Sequence, residues 1–210
     1  MKIRVALVSA LAVSVMSACS STPNIAGAAF VVGDNRIPQS DVTVLVKEAT
    51  SQIEAMPPAA SANAPTTAQL SSTIVSRMLQ HEIFLQAEQS DPRFKISPIQ
   101  ISRTREVLIQ QYGQDVVEQQ LVLSSGAPLS QIDNFVHDIV LSQVISQVLA
   151  PKGTQTEKQD AFTGYIKRLT KKAGVRVSPR FGSWNQESGK LDAVDIATAV
   201  NLTPANPPTQ

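Results

Sequence analysis

The sequence predicts a mostly α-helical domain carrying a small β-sheet, built from an N-terminal hairpin and a C-terminal strand. Three observations predict it. Apolar residues recur at helical spacing through most of residues 41–174. Proline and glycine interrupt that pattern about once per helix, at Pro57-Pro58, Pro92, Gly113, Gly126, Pro151 and Gly174. Short β-branched and aromatic runs sit at the two ends of the helical region, at residues 28–32 and 175–177.

The chain opens with Lys2 and Arg4, followed by an apolar or small run over residues 5–16 that only Ser9 and Ser14 interrupt. As a helix such a run rises about 18 Å, well short of the roughly 30 Å of a bilayer's hydrocarbon core. It has the form of a secretory signal peptide, residues 1–18, rather than of a membrane span. Met16-Ser17-Ala18-Cys19 ends the run and contains the one cysteine of the 210 residues. Small residues immediately before a cysteine are the pattern of a lipoprotein signal. Met16 stands where leucine is commoner. Cys19 is therefore expected to become the first mature residue, bearing S-diacylglycerol and an N-palmitoyl group. Each buried methylene contributes about 0.8 kcal/mol, so two or three acyl chains anchor a protein firmly. The expected location is the extracytoplasmic face of the cell membrane, with residues 19–27 as a tether.

Cleavage would remove Lys2 and Arg4 and leave sixteen basic against seventeen acidic residues. A near-neutral chain without a basic stripe presents no field for nucleic acid. With its cysteine acylated it would have no disulfide and no catalytic thiol, and about 190 residues are enough to bury one sizeable core.

The elements follow in order. Residues 28–32 (Ala-Ala-Phe-Val-Val) read as a strand, Gly33-Asp34-Asn35 as a turn, and Arg36-Ile37 as a returning strand that Pro38 ends. Ser40 or Asp41 is the expected N-cap of a first helix with Val42, Leu45, Val46, Ala49 and Ile53 on one face. The Pro/Ala/Ser-rich residues 56–66 read as a loop. The next helix is expected over 67–89, with a wide stripe of Leu70, Ile74, Val75, Met78, Leu79 and Ile83. Asp91-Pro92 breaks it, and Phe94-Lys95-Ile96 reads as extended. Ser97-Pro98 then offers an N-cap with proline at the first helical position, opening a helix that stops at Gly113.

A shorter helix is expected over 115–123, then a turn over 124–128. Ser130 is placed to cap an amphipath through Ile132, Phe135, Val136, Ile139, Val140, Val144 and Val148. Thr156 and Gln159 have capping-box spacing for the last helix, which ends at Gly174 behind Lys171 and Lys172. Val175-Arg176-Val177 alternates like a strand and is expected to pair near Phe30. Residues 186–210 are polar and read as a largely disordered tail.

No motif for a reaction or a cofactor emerges. His81-Glu82 begins the H-E-x-x-H zinc pattern, but Leu85 occupies the fifth position. His137 and Asp138 are helix neighbours, which do not ordinarily face each other. Both histidines therefore read as helix flank, and no metal site is assigned. Asp133 and Asp138, five apart, read as solvated surface. No nucleophile elbow and no phosphate loop is present. The expectation is a protein that is not an enzyme.

Two places suggest a binding surface instead. Met56, at the edge of the 56–66 loop, is an adaptable apolar contact. Phe181 and Trp184, in Pro179-Arg180-Phe181-Gly182-Ser183-Trp184-Asn185, are either a lid docked on the helices or an aromatic contact for a partner.

Three stretches carry a resemblance to a known family. They are Val31-Val32-Gly33-Asp34-Asn35-Arg36-Ile37-Pro38-Gln39-Ser40-Asp41-Val42, Gln120-Leu121-Val122-Leu123-Ser124-Ser125-Gly126-Ala127-Pro128-Leu129, and Val175-Arg176-Val177-Ser178-Pro179-Arg180-Phe181-Gly182-Ser183-Trp184. Over residues 28–185 the chain resembles the N-terminal domain of SurA-like chaperones, extracytoplasmic relatives of trigger factor, and above all their actinobacterial lipoprotein versions. The last stretch is the most specific. The resemblance implies a helical domain that binds unfolded or exported polypeptides. Full-length relatives also carry parvulin-type prolyl isomerase domains with paired histidines and a Gly-rich loop, which this sequence does not show. The resemblance thus implies binding of apolar segments without catalysis. The alternative is a structural adaptor for a single cell-envelope partner. An isomerase would instead turn over a proline-containing tetrapeptide.

Overall fold

Val31 and Val32 run into Gly33-Asp34, and the chain reverses there through a two-residue loop with Gly33 at φ +61°. In the computed structural model, which describes residues 25–186, 189–191 and 194–195, this makes the hairpin β1 (Ala28–Val32) and β2 (Asn35–Pro38). β3 (Arg176–Val177) joins the free edge of β1 antiparallel, pairing Val177 with Phe30 and Arg176 with Val31. The sheet order is β2-β1-β3, as the sequence predicted. All five residues of the central strand are buried, which explains why β1 reads as a continuous apolar run rather than an alternating one.

The helices are α1 (Gln39–Glu54), α2 (Pro58–Ser61), α3 (Thr67–Ser90), α4 (Pro98–Tyr112), α5 (Gln114–Ser125), α6 (Ile132–Leu149) and α7 (Gln155–Ala173). The chain is mostly α with a small sheet. At 24 residues, or about 36 Å, α3 is the axis of the domain, packing against α1, α5, α6, α7 and β1. Its Leu70, Ile74, Leu79, Ile83 and Phe84 are fully buried. Phe84 meets Phe162 of α7 edge to face at 5.9 Å, and Phe94 meets Tyr165 in the same way at 5.4 Å.

Helix ends follow the local chemistry. Thr66 and Ser97 form full capping boxes with Gln69 and Gln100. Gly126 closes α5 in the left-handed conformation at φ +61°, its N–H bonding the Val122 carbonyl. A Cβ there would lie 2.9 Å from Thr73 Cγ2, so the glycine also lets the end of α5 approach α3.

Several local expectations are corrected. α1 begins at Gln39 without a side-chain cap from Ser40 or Asp41. The Gln39 backbone N–H bonds the Gly27 carbonyl and its side-chain amide bonds the Ala28 carbonyl, so strand runs directly into helix. The 56–66 loop contains the single turn α2. Of Phe94-Lys95-Ile96, expected to be extended, Phe94 instead closes a 3₁₀ turn over Pro92–Phe94, because Asp91 accepts the Arg93 N–H and Phe94 is drawn into the core. A second 3₁₀ turn, Leu129–Gln131, precedes α6. Ser130 bonds Glu48 of α1 at 2.8 Å instead of capping α6.

The box opening α7 is Thr154 with Glu157, two residues before the expected Thr156 and Gln159. Glu157 accepts the Thr154 N–H at 2.7 Å. Hydrogen bonds from the Thr154 backbone and then its hydroxyl hold the Glu157 carboxyl below the usual range. A charged acceptor makes the stronger cap.

The structure also adds a second small sheet, β4 (Trp184–Asn185), β5 (Lys190–Leu191) and β6 (Val194–Asp195), in the order β4-β5-β6. Leu191 is 1% exposed and belongs to the main core, so ordered chain continues past residue 185 into the stretch expected to be tail. Among the described residues, no helix is long and apolar enough to cross a membrane. The signal segment, Cys19 and residues 196–210 lie outside the described residues.

Candidate functional site

α3 and α6 face each other along a seam that is apolar at one end and polar at the other. The spacing of Arg77, His81 and Glu88 places one side chain per turn or two turns on the same side of α3. From α6 come His137, 8% exposed, and Asp138, 1% exposed.

His81 Nδ1–H donates to Asp138 Oδ1 at 2.8 Å, and His137 Nδ1 lies 3.3 Å from the same oxygen. His137 Nε2 lies 3.4 Å from Glu88 Oε2. The other Glu88 oxygen accepts the Ile96 backbone N–H at 3.0 Å, which fixes that carboxylate. The two imidazoles meet edge to face with centroids 5.4 Å apart. Asp138 Oδ2 is buried and has no hydrogen-bond partner. The Arg77 guanidinium stacks over Phe135 at 4.8 Å. Burial pushes its pKa down, and the charge of Asp138 partly offsets that.

A neutral imidazole has one N–H, so His137 hydrogen-bonds both carboxylates only as the imidazolium. Burial opposes that charge. The hydrogen bond and charge of Asp138, followed by those of Glu88, outweigh it and raise the His137 pKa. With His137 charged, two cations (Arg77 and His137) balance two carboxylates (Asp138 and Glu88).

This corrects the reading of both histidines as helix flank and of Asp138 as solvated surface. Asp133 does lie on the surface, paired with Arg105 at 2.8 Å. The neighbours His137 and Asp138 meet because both side chains bend toward His81 on the opposite helix.

The seam opens into a cleft of about 150 Å³ lined by Phe30, Ile37, Leu45, Met78, Phe135 and the Gly126-Ala127-Pro128 turn, with His81 and Asp138 on its polar side. A cavity of that size accommodates a group about as large as one aromatic ring. A second cleft, about 280 Å³, lies between the end of α1 and α5 and is lined by Met56, Pro57, Leu129, Asp115 and Glu118.

Of the residues singled out from the sequence, Met56 lines this second cleft. Phe181 and Trp184 lie elsewhere, half-buried and packed against the core. Arg180 reaches Gln39 at the start of α1, about 24 Å along that helix from the Met56 end. The two groups therefore do not form one surface. Trp184 Nε1 is buried without a hydrogen-bond partner.

α4 differs from the other long helices. None of its residues is fully buried, and Ile99 (62% exposed), Val107 (56%) and Tyr112 face solvent, with Val116 of α5 just beyond.

No family model, curated protein or solved structure matches the chain. The fold and its clefts by themselves define the class: a helical domain carrying a three-stranded sheet, with a polar cluster between α3 and α6 beside a cleft and exposed apolar side chains on α4.

Proposed function

We propose that the chain is a lipid-anchored, extracytoplasmic chaperone-like module that binds apolar segments of exported polypeptides and catalyses no reaction. Cys19 carries the acyl groups in this reading, and the membrane holds the domain where unfolded chains emerge. The observation that carries it is α4, whose Ile99, Val107 and Tyr112 are left in water on a helix with no fully buried residue. They lie on different sides of α4, so a client would have to wrap the helix to cover all three. Met56 and Leu129 line a separate cleft beside α5 that offers a second apolar contact. The acids Asp115 and Glu118 on its rim favour clients with flanking basic residues.

The test is aggregation. The chain without its signal segment and lipid is added in increasing ratio to several unrelated unfolding proteins while light scattering is followed. Suppression of scattering near equimolar ratio for several clients supports the reading. No suppression at large molar excess leaves a structural adaptor for one envelope partner as the better account. Turnover of a proline-containing tetrapeptide would overturn the non-catalytic part.

A further inference from the structure

We infer that His81, His137 and Asp138 form a binding site for a divalent transition-metal ion of the zinc type, bridging α3 to α6.

Three donor atoms, one from each residue, lie within 4.8 Å of one another. Two imidazoles and a carboxylate are a donor set suited to zinc, and three protein ligands with a further open position are a common zinc arrangement. Metal–ligand bonds of about 2.1 Å in a tetrahedron set ligand atoms about 3.4 Å apart. The contacts of 2.8 and 3.3 Å between Asp138 Oδ1 and the two Nδ1 atoms are close to that spacing. The two imidazole nitrogens are held only within that 4.8 Å limit, so side-chain rotation has to set the three donors at the tetrahedral spacing when the ion enters.

Two further observations point to a cation rather than to packing alone. Asp138, 1% exposed, keeps an oxygen without any hydrogen-bond partner beside the cluster, a costly arrangement unless something positive takes the lone pairs. Glu88, held by the Ile96 N–H, faces Nε2 of His137. A carboxylate there accepts a hydrogen bond from Nε2–H and so leaves the Nδ1 lone pair on the side of Asp138, as carboxylates behind metal-bound histidines do. The ion then displaces the proton that Nδ1 otherwise shares with Asp138. His81 and Asp138 both line the 150 Å³ cleft, which gives the ion a route from solvent. Arg77 opposes it, since its charge faces Asp138. The affinity is accordingly expected to fall below that of an enclosed structural site.

The experiment uses the full-length chain in detergent micelles, without a polyhistidine tag, stripped with a chelator and dialysed against micromolar zinc. Elemental analysis is expected to find one zinc per chain, and cobalt(II) in place of zinc is expected to give the visible bands of a tetrahedral site. His81→Ala and His137→Ala are each expected to abolish stoichiometric binding. Glu88→Gln is expected to weaken it about tenfold or more, and Arg77→Met to tighten it. His81 is only half-buried, so its alanine variant keeps the test valid if an Asp138 variant fails to fold. Absence of stoichiometric zinc in the parent chain, or binding that both histidine variants leave unchanged, would overturn the site.

Discussion

The α3–α6 seam and the α4 helix invert the usual arrangement in opposite senses. At the seam, ionisable side chains are taken out of water and packed against one another. On α4, Ile99, Val107 and Tyr112 are left in water on a helix that buries no residue completely. A buried polar group or a grouped set of exposed apolar ones is informative because each costs free energy that folding alone does not require. The seam's cost is offset in part by complementary charges, with Asp138 Oδ2 left without a hydrogen-bond partner, so its chemistry belongs to the domain and to any ion the domain holds there. On α4 the cost remains unmet until something covers the helix, so its chemistry belongs to a partner. Substitutions at the seam should therefore register in stability, and substitutions on α4 in binding.

The largest effect is expected at Asp138. Asp138→Ala removes the one group that both histidines and Arg77 face, leaving a buried positive cluster. Breaking one partner out of a buried ionic network typically costs about 3–5 kcal/mol. Urea unfolding followed by circular dichroism is expected to show a loss near 3 kcal/mol. A loss below about 0.5 kcal/mol, the range of ordinary surface substitutions, would show that the seam is no more than a wet surface.

The next effect is a pH dependence of the metal-free protein. The groups facing His137 are Asp138, Glu88 and the edge of the His81 ring. Because the folded-state pKa of His137 is raised above 6.5, folding takes up a proton there. The resulting stabilisation is complete below that unfolded value and is lost as pH rises through the folded one. Glu157 acts in the opposite direction. Its carboxyl is held below 4.5, so the α7 cap contributes above that pH and is lost on acidification. With chelator present, the unfolding midpoint should decline as pH rises above about 6.5. His137→Asn should flatten the decline, and an unchanged slope in that variant would assign it to another group.

The helices were legible because their signals are local. Ser97-Pro98 with Gln100, Gly113 and Gly174 mark ends that depend on adjacent backbone alone. The pairing of β3 with β1 was legible because both are short apolar runs in a chain with few alternatives. The seam was not. His81 meets Asp138 across 57 residues of sequence, and Glu88 meets His137 across 49. No periodicity on either helix reports such a meeting, and the rule that adjacent helical residues diverge pointed away from His137 and Asp138. The second sheet escaped notice because its strands have two residues each, with a single apolar residue apiece (Trp184, Leu191 and Val194), too few for an alternation to register. Where local signals competed, chemistry decided: Thr154 with Glu157 and Thr156 with Gln159 both fit the capping pattern, and the carboxylate prevailed.

That competition yields a smaller prediction. Thr154→Ala should cost about 1 kcal/mol, a typical value for a lost N-cap. Thr156→Ala, inside the first turn, should change little or slightly stabilise, since alanine is the better helix former. Equal costs at the two positions would mean that the start of α7 slides between the two boxes.

The smallest effect on stability is expected on α4, where the comparison with the seam is sharpest. Ile99, Val107 and Tyr112 contribute little to the core, so serine at all three should shift unfolding free energy by no more than about 0.5 kcal/mol per site. The same triple variant should lose most of its suppression of client aggregation, because the exposed apolar surface is what the clients would cover. Conservative changes that keep the area, such as Ile99→Leu, should preserve both properties. If the triple variant instead unfolds easily, α4 is part of the core, and the two regions do not divide stability from binding. If it stays stable and still suppresses scattering in full, clients bind elsewhere, and the Met56 cleft, with its acidic rim, becomes the surface to mutate next.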